Sequence, residues 1–210
     1  MKRETVVFDL GGVVFNWEPL RLMREVFPTR VQDDAGAAKL LSEVFQNHQP
    51  HGDWAQWDRG LVKPDALAER IAQRLAMQAP EIKALIDALA PHMRVKQETI
   101  DLILELKAAN HRLVYLSNMP EELAQWIERD HPFADWFEDG VFSARVSLVK
   151  PDDVIYRCTE EKLSLSGQAP VFVDDMQPNI DTAQRNGWRP IRFENAQQVR
   201  ARLCDLGLLA

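Results

Sequence analysis

The amino-acid sequence predicts an α/β fold: a doubly wound, mostly parallel, Rossmann-like sheet with a small helical insertion after its first strand. Three observations predict it. Short apolar runs rich in β-branched residues end abruptly in polar groups: Val6-Val7-Phe8 in Asp9, Leu113-Val114-Tyr115-Leu116 in Ser117-Asn118, and Val171-Phe172-Val173 in Asp174-Asp175. Unbroken runs of this length suit strands buried on both faces, the pattern of parallel sheets. From Gln97 onward such runs alternate with segments of helical periodicity, as βα units require. Between Trp17 and Lys96 the periodicity is helical throughout.

The first strand passes directly into Asp9-Leu10-Gly11-Gly12. In the insertion, Leu20, Met23, Val26 and Phe27 share one helical face, as do Leu67, Ile71 and Leu75. Pro64-Asp65 and Pro80-Glu81 read as helix starts, the second leading Ile82, Leu85, Ile86 and Leu89; Pro91 marks a break. A helix follows over 97–109, ending at Asn110. The remaining elements alternate: strand 113–116, helix 121–129, strand about 140–142, helix 153–162, strand 171–173, helix 179–186 stopped by Gly187, strand 190–193 and helix 196–206. The expected division is a core of residues 1–16 and 97–210 and an insertion of residues 17–96.

Composition narrows the class. The 210 residues are 46% hydrophobic, enough for a sizeable core in one domain or a core with a small insert. The formal net charge is −7 and no basic stripe is visible, so binding to nucleic acid or an anionic membrane has no electrostatic support. Cys158 and Cys204 each fall in a helical pattern and read as reduced thiols, not as a disulfide framework or zinc site. Met1-Lys2-Arg3-Glu4 runs straight into the first strand without a signal-peptide pattern, and no apolar stretch is long enough to span a bilayer. A cytoplasmic protein with a small-molecule partner is expected; the pattern carries no signal for an oligomeric state.

Open α/β sheets bind ligands outside the carboxyl ends of their strands. Asp9, Ser117-Asn118 and Asp174-Asp175 all fall at that edge. The glycines beside Asp9 let backbone N–H groups approach an anion. The Asp174-Asp175 pair has a plain alternative as a turn before Pro178, but adjacent carboxylates at a buried strand end repel, and a cation is the simplest compensation. Ser117-Asn118 also fits an ordinary turn into the helix after Pro120, and Lys150 fits a solvated lysine.

Strand-end Asp9, strand-end Ser117-Asn118, Lys150-Pro151 and strand-end Asp174-Asp175 stand in the order used by the haloacid dehalogenase superfamily, which the chain resembles over nearly its whole length. In texture it is similar to bacterial phosphatases acting on α-D-glucose 1-phosphate, through Asp9-Leu10-Gly11, the Arg59-Gly60 turn, and Lys150-Pro151 followed by Ile155-Tyr156. The resemblance implies that residues 17–96 form a cap and that Asp9 is a nucleophile forming an acyl phosphate. It implies Mg²⁺ held by Asp9, the Gly11 carbonyl and Asp175, with Asp174 acting through water. Gly12, Ser117, Asn118 and Lys150 would hold the phosphoryl group, with Lys150 as a point cation beside the nucleophile. The implied function is a Mg²⁺-dependent phosphatase of a small phosphorylated metabolite, such as a sugar 1-phosphate.

One position departs from the pattern. Most phosphatases of the superfamily carry a second Asp two residues after the nucleophile, where this chain has Gly11. That Asp protonates the leaving oxygen and later activates water. Three readings stay open: substrates with good leaving groups, an acid supplied by the cap, or weak catalysis with a binding role. The segment from His48 to Gly60 is the place to look for a substitute, and His48, His51 and Asp53 are its first candidates; the competing reading has Trp54 and Trp57 sealing the cap over the core. A 2-haloacid dehalogenase, which uses the same Asp without a metal, is the main alternative; the Asp174-Asp175 pair weighs against it.

Overall fold

In the computed structural model, residues 3–165 and 167–210 are described, except for the side chain of His48. Strand β1 (Thr5–Phe8) leads into five helices: α1 (Pro19–Val26), α2 (Asp34–Phe45), α3 (Asp53–Asp58), α4 (Pro64–Leu75) and α5 (Ala79–His92). There follow α6 (Gln97–Ala108), β2 (Arg112–Ser117), α7 (Glu121–Asp130), α8 (Phe133–Trp136), β3 (Asp139–Phe142), α9 (Ser143–Val146), α10 (Asp153–Lys162), β4 (Val171–Asp174), α11 (Gln177–Arg185), β5 (Arg189–Arg192) and α12 (Ala196–Asp205).

The sheet runs β3-β2-β1-β4-β5 and every neighbouring pair is parallel. Alternation along the strands sorts the side chains by face. Val6, Phe8, Leu113, Tyr115, Val171 and Val173 pack with α6, α7 and α12. Val7, Val114, Leu116 and Phe172 pack with α10 and α11. Both faces are covered, which is why the strands read as unbroken apolar runs. The chain leaves β1 toward β2 and β3, then returns to the other side of β1 with β4. The carboxyl ends of β1 and β4 therefore flank the switch point, where a crevice opens in sheets of this kind.

The insertion has a core of its own, running from Leu22 in α1 through Trp57 in α3 to Leu89 in α5. Its helix ends follow local chemistry. The Asp33 carboxylate accepts the Gly36 N–H at 2.7 Å and caps α2. The Gln78 N–H donates to Glu81 at 2.9 Å to start α5. Two details differ from the sequence reading. Leu20 is 38% exposed, and Leu22 takes the inward place beside Met23. Pro91 does not break α5 but sits in its last turn, where α5 ends one residue later at His92. The short helices α8 and α9 were too brief to show a period in the sequence.

Candidate active site

The loop after β1 begins with Asp9, whose N–H donates to the Val173 carbonyl of β4 at 2.8 Å, so the two strand ends are stitched together. The loop is tight: the Leu10 carbonyl accepts the N–H groups of Val14 and Phe15, both at 2.8 Å. Gly12 has φ +80°, and a Cβ there would lie 2.5 Å from Asp175 Oδ2. Glycine is required at this point, because the backbone must turn left-handed while pressed against a carboxylate. Gly11 is different; a Cβ there would meet nothing within 4 Å. From the start of α6, Thr99 Oγ1 donates to the Val13 carbonyl at 2.9 Å and the Lys96 ammonium donates to the Gly12 carbonyl.

Asp9, Asp174 and Asp175 present carboxylate oxygens that all lie within 4.8 Å of one another. The buried Lys150 ammonium bridges two of them, at 2.9 Å from Asp9 Oδ1 and 2.7 Å from Asp174 Oδ2. Asp9 Oδ1 also accepts the Leu10 N–H at 2.7 Å, while Oδ2 carries no hydrogen bond among the described residues. Asp174 is saturated: Asn179 Nδ2 donates to both its oxygens, at 2.9 and 3.0 Å, and the Met176 N–H adds a bond at 2.8 Å. Asp174 is thus chiefly the anchor of Lys150, and Asp9 and Asp175 are the carboxylates left to face the crevice.

Burial pushes the Asp9 carboxyl up to about 7; Lys150 pulls it back, and the charges of Asp174 and Asp175 add to the rise. Asp175 is likewise raised, by burial first and then by Asp174. Burial alone would lower Lys150, but Asp174 and Asp9 outweigh it and hold the ammonium charged. Lys150 therefore leaves the three carboxylates short of compensation.

Ser117, at the end of β2, is buried with its Oγ lacking a hydrogen-bond partner among the described residues. Such an orphan is rare in native structures, and Ser117 lines the cavity of the site, where its hydroxyl is placed to donate to a ligand oxygen. Asn118 is placed differently from the simplest expectation. Its side chain donates to the Lys150 carbonyl at 2.9 Å and accepts the Lys150 N–H at 2.8 Å. The side-chain amide thus fixes the Lys150 loop, and only the main-chain N–H of Asn118 remains to face an anion.

A cavity of about 390 Å³ opens over these groups. Asp9, Gly11, Ser117, Asn118, Lys150 and Asp175 line it; Gly12 and Asp174 do not. From the insertion, Asp58 lines it as well. His51 is exposed and outside it, and the Asp53 carboxylate is held by Arg74 at 3.0 Å. The side chain of His48 lies outside the described residues. Trp57 is nearly fully buried and Trp54 7% exposed, packed edge-to-face at 5.1 Å, so both close the insertion over the core while also walling the cavity. Asp58, which lines the cavity, and Lys96, which bonds the Gly12 carbonyl, are neighbours of the site that sequence spacing does not single out. A strand-end rule finds acids in the core, and no comparable rule aims a residue at the end of a short helix.

Residues 4–187 match the family of haloacid dehalogenase-like hydrolases. The chain belongs to that family and is a hydrolase. Among curated proteins it is 26% identical over 185 residues to the sesquiterpene phosphatase astK of Aspergillus oryzae, covering 88% of this chain and 86% of that one. It is 25% identical over 209 residues to the drimenol cyclase drtB of Aspergillus calidoustus, covering 96% of this chain and 36% of the longer relative. Among solved structures it superposes, with TM-score 0.71 and 21% identity, on a haloacid dehalogenase family enzyme of Bacteroides thetaiotaomicron complexed with magnesium and inorganic phosphate, covering 91% of this chain and 94% of that one. The last likeness speaks to the fold. No helix among the described residues is long and apolar enough to cross a membrane.

Proposed function

We propose that this hydrolase is a Mg²⁺-dependent phosphatase of small phosphate monoesters, with Asp9 as nucleophile and residues 17–96 as its cap. The observation that carries the reading is the meeting, in one cavity, of a free Asp9 Oδ2, the under-compensated carboxylate cluster and the orphaned Ser117 Oγ. The donor set is hard oxygen, which suits magnesium. Asp9, Asp175 and the Gly11 carbonyl would hold it, with Asp174 behind them; bound there, it neutralises charge on the phosphoryl group. Asp9 attacks phosphorus and forms an aspartyl phosphate, while Lys150 balances the charge that gathers between nucleophile and phosphate. The Ser117 hydroxyl and the main-chain N–H of Asn118 donate to the phosphoryl oxygens; the Gly12 N–H, expected from the sequence to join them, is given instead to the Phe15 carbonyl at 2.9 Å. The Bacteroides enzyme, solved with magnesium and phosphate, supports this assignment.

The wall of the cavity favours an apolar alcohol over a sugar. Away from the core carboxylates it is built by Trp17, Phe45, Trp54, Leu89, Met93 and Leu123, with Asn47 and Asp58 as the polar side chains of the insertion among the described residues. Sugar hydroxyls placed there would lose water without gaining partners, which costs about 1–3 kcal/mol for each unpaired group. The sesquiterpene named in the Aspergillus oryzae relative is a hydrocarbon-like substrate of this kind. The test is phosphate release from a panel of terpenoid, alkyl and sugar phosphates, with Mg²⁺ and with EDTA. Turnover of apolar esters only with Mg²⁺, abolished in a folded Asp9→Asn variant, is expected. Activity unchanged by EDTA, or halide release from 2-haloacids, would replace this reading with the dehalogenase one.

A further inference from the structure

Phosphoryl transfer, on the reading just given, needs two proton transfers that Gly11 cannot perform. The alkoxide leaving phosphorus must gain a proton, and the water that attacks the aspartyl phosphate must lose one. Among the described residues lining the cavity, the titratable side chains are Asp9, Asp58, Lys150 and Asp175. Asp9 and Asp175 belong to the carboxylate cluster, and Lys150 is tied between Asp9 and Asp174. Asp58 is the remaining group.

Asp58 ends α3, and the segment around it is fastened from several directions. Ser143 Oγ donates to the Asp58 carbonyl at 2.5 Å. The neighbouring Trp57 donates its indole N–H to Glu122 at 3.1 Å. Arg59 reaches Asp152 at 2.8 Å, just beyond Lys150-Pro151, and also the Pro50 carbonyl. Gly60 packs so closely on α9 that a Cβ would lie 2.8 Å from the Ala144 carbonyl oxygen. The Asp58 carboxyl itself, half-buried and facing the cavity, has no hydrogen bond or ion pair among the described residues. Its cationic neighbour in sequence, Arg59, is turned to Asp152.

We propose that the Asp58 carboxyl is the acid–base catalyst of this hydrolase, supplied by the cap in place of the carboxyl absent at Gly11. In the first step Asp9 Oδ2 bonds to phosphorus and the P–O bond to the alcohol breaks. The electron pair goes to the leaving oxygen, which takes the proton of Asp58. In the second step Asp58 takes a proton from water as the water oxygen bonds to phosphorus. The bond from phosphorus to Asp9 then breaks, giving inorganic phosphate and restoring both carboxyl groups. One ester and one water are consumed, and one alcohol and one phosphate are released. Burial pushes the Asp58 carboxyl up to about 7, against the opposing charges of Arg59 and Lys150. Asp9 and Asp175 face the same cavity. A group with that proton affinity can give and take a proton near neutral pH.

The test uses the full chain with Mg²⁺ and two esters: p-nitrophenyl phosphate, whose leaving group needs no proton, and 2-phenylethyl phosphate, whose alkoxide does. In Asp58→Asn, cleavage of the phenylethyl ester should fall about 10²–10⁴-fold. The nitrophenyl ester should still give a burst of nitrophenol near one per protein, then slow turnover because dephosphorylation lacks its base. That burst also shows that the variant is folded with a working Asp9. In the wild type, kcat/KM for the phenylethyl ester should fall as pH rises through about 7, and Asp58→Asn should lose that limb. Phenylethyl ester turnover retained within about threefold, with chemistry rate-limiting, overturns the assignment. So does an equal loss on both esters without a burst. If the wild type cleaves neither ester nor any phosphate of the wider panel, the phosphatase reading and Asp58's role fall together; a fully active Asp58→Asn removes Asp58 alone.

Discussion

Gly11 and Gly12 are adjacent, yet alanine should affect them in opposite ways. At Gly12 two costs combine. The backbone sits at φ +80°, where an L-residue costs about 1–2 kcal/mol. The new Cβ would also lie 2.5 Å from Asp175 Oδ2, so that oxygen must retreat about 0.9 Å to ordinary van der Waals contact. The Asp175 carboxylate is held by its own main-chain N–H and by no side-chain hydrogen bond among the described residues, so it can swing aside at small cost in stability but at the expense of its ligand geometry. For a chain of this size 1–2 kcal/mol lowers Tm by about 2–8 °C. Misplacement of a catalytic group by about 1 Å costs on the order of 10²-fold in rate. At Gly11 a Cβ meets nothing within 4 Å and the backbone is not left-handed. Gly11→Ala should therefore hold or raise stability, by up to about 1 kcal/mol through the unfolded chain. Scanning calorimetry of both variants without metal, followed by Mg²⁺ titration of phosphate release, checks the pair. Equal Tm values for the two variants, or unchanged Mg²⁺ dependence in Gly12→Ala, would refute the reasoning.

Asp174→Ala should destabilise the fold by about 3–5 kcal/mol, because it leaves the buried Lys150 ammonium with half its compensation. Asp175→Ala should keep the fold and raise the Mg²⁺ requirement sharply; urea denaturation beside Mg²⁺ titration separates the two. Asp58→Asn should gain stability over the wild type as pH rises from about 4 to about 7 and level off above. The sign follows from a folded-state proton affinity raised above the unfolded one, so that the native chain must hold a desolvated charge at higher pH. Denaturant midpoints at pH 5 and 8 test it; a constant difference between the proteins would count against it. Finally, a Cβ at position 11 meets nothing within 4 Å, and Gly11→Asp should restore phenylethyl phosphate cleavage to Asp58→Asn, as read in single-turnover phosphate release; a double variant no faster than Asp58→Asn would show that a carboxyl at position 11 cannot reach the leaving oxygen.

The sequence by itself determined the sheet, the edge that bears the chemistry and the polar groups on it. Val6–Phe8, Leu113–Leu116 and Val171–Val173 are buried on both faces, so their apolar runs are unbroken, and the polar residues that stop them mark the carboxyl ends of strands. A local pattern suffices there because strand direction alone decides which edge a residue occupies. Tertiary structure decided what each polar group does once there. Asn118 and Asp174 look like ligands in sequence, but both side chains are engaged by Lys150, which is far from each of them in the chain, and Met176 and Asn179 complete the bonds of Asp174. It also decided which cap residue faces the crevice. His51, Asp53 and Asp58 lie within eight positions of one another, and periodicity does not rank them. What separates them is long-range: Arg74 takes Asp53, while Ser143 holds the Asp58 carbonyl, Asp152 holds the Arg59 guanidinium, and the Asp58 carboxyl is unpaired over the cavity among the described residues. Such pairings depend on how the insertion docks on the sheet, which is set by packing between its own core and the loops after β2 and β3, and no spacing within residues 48–60 encodes it.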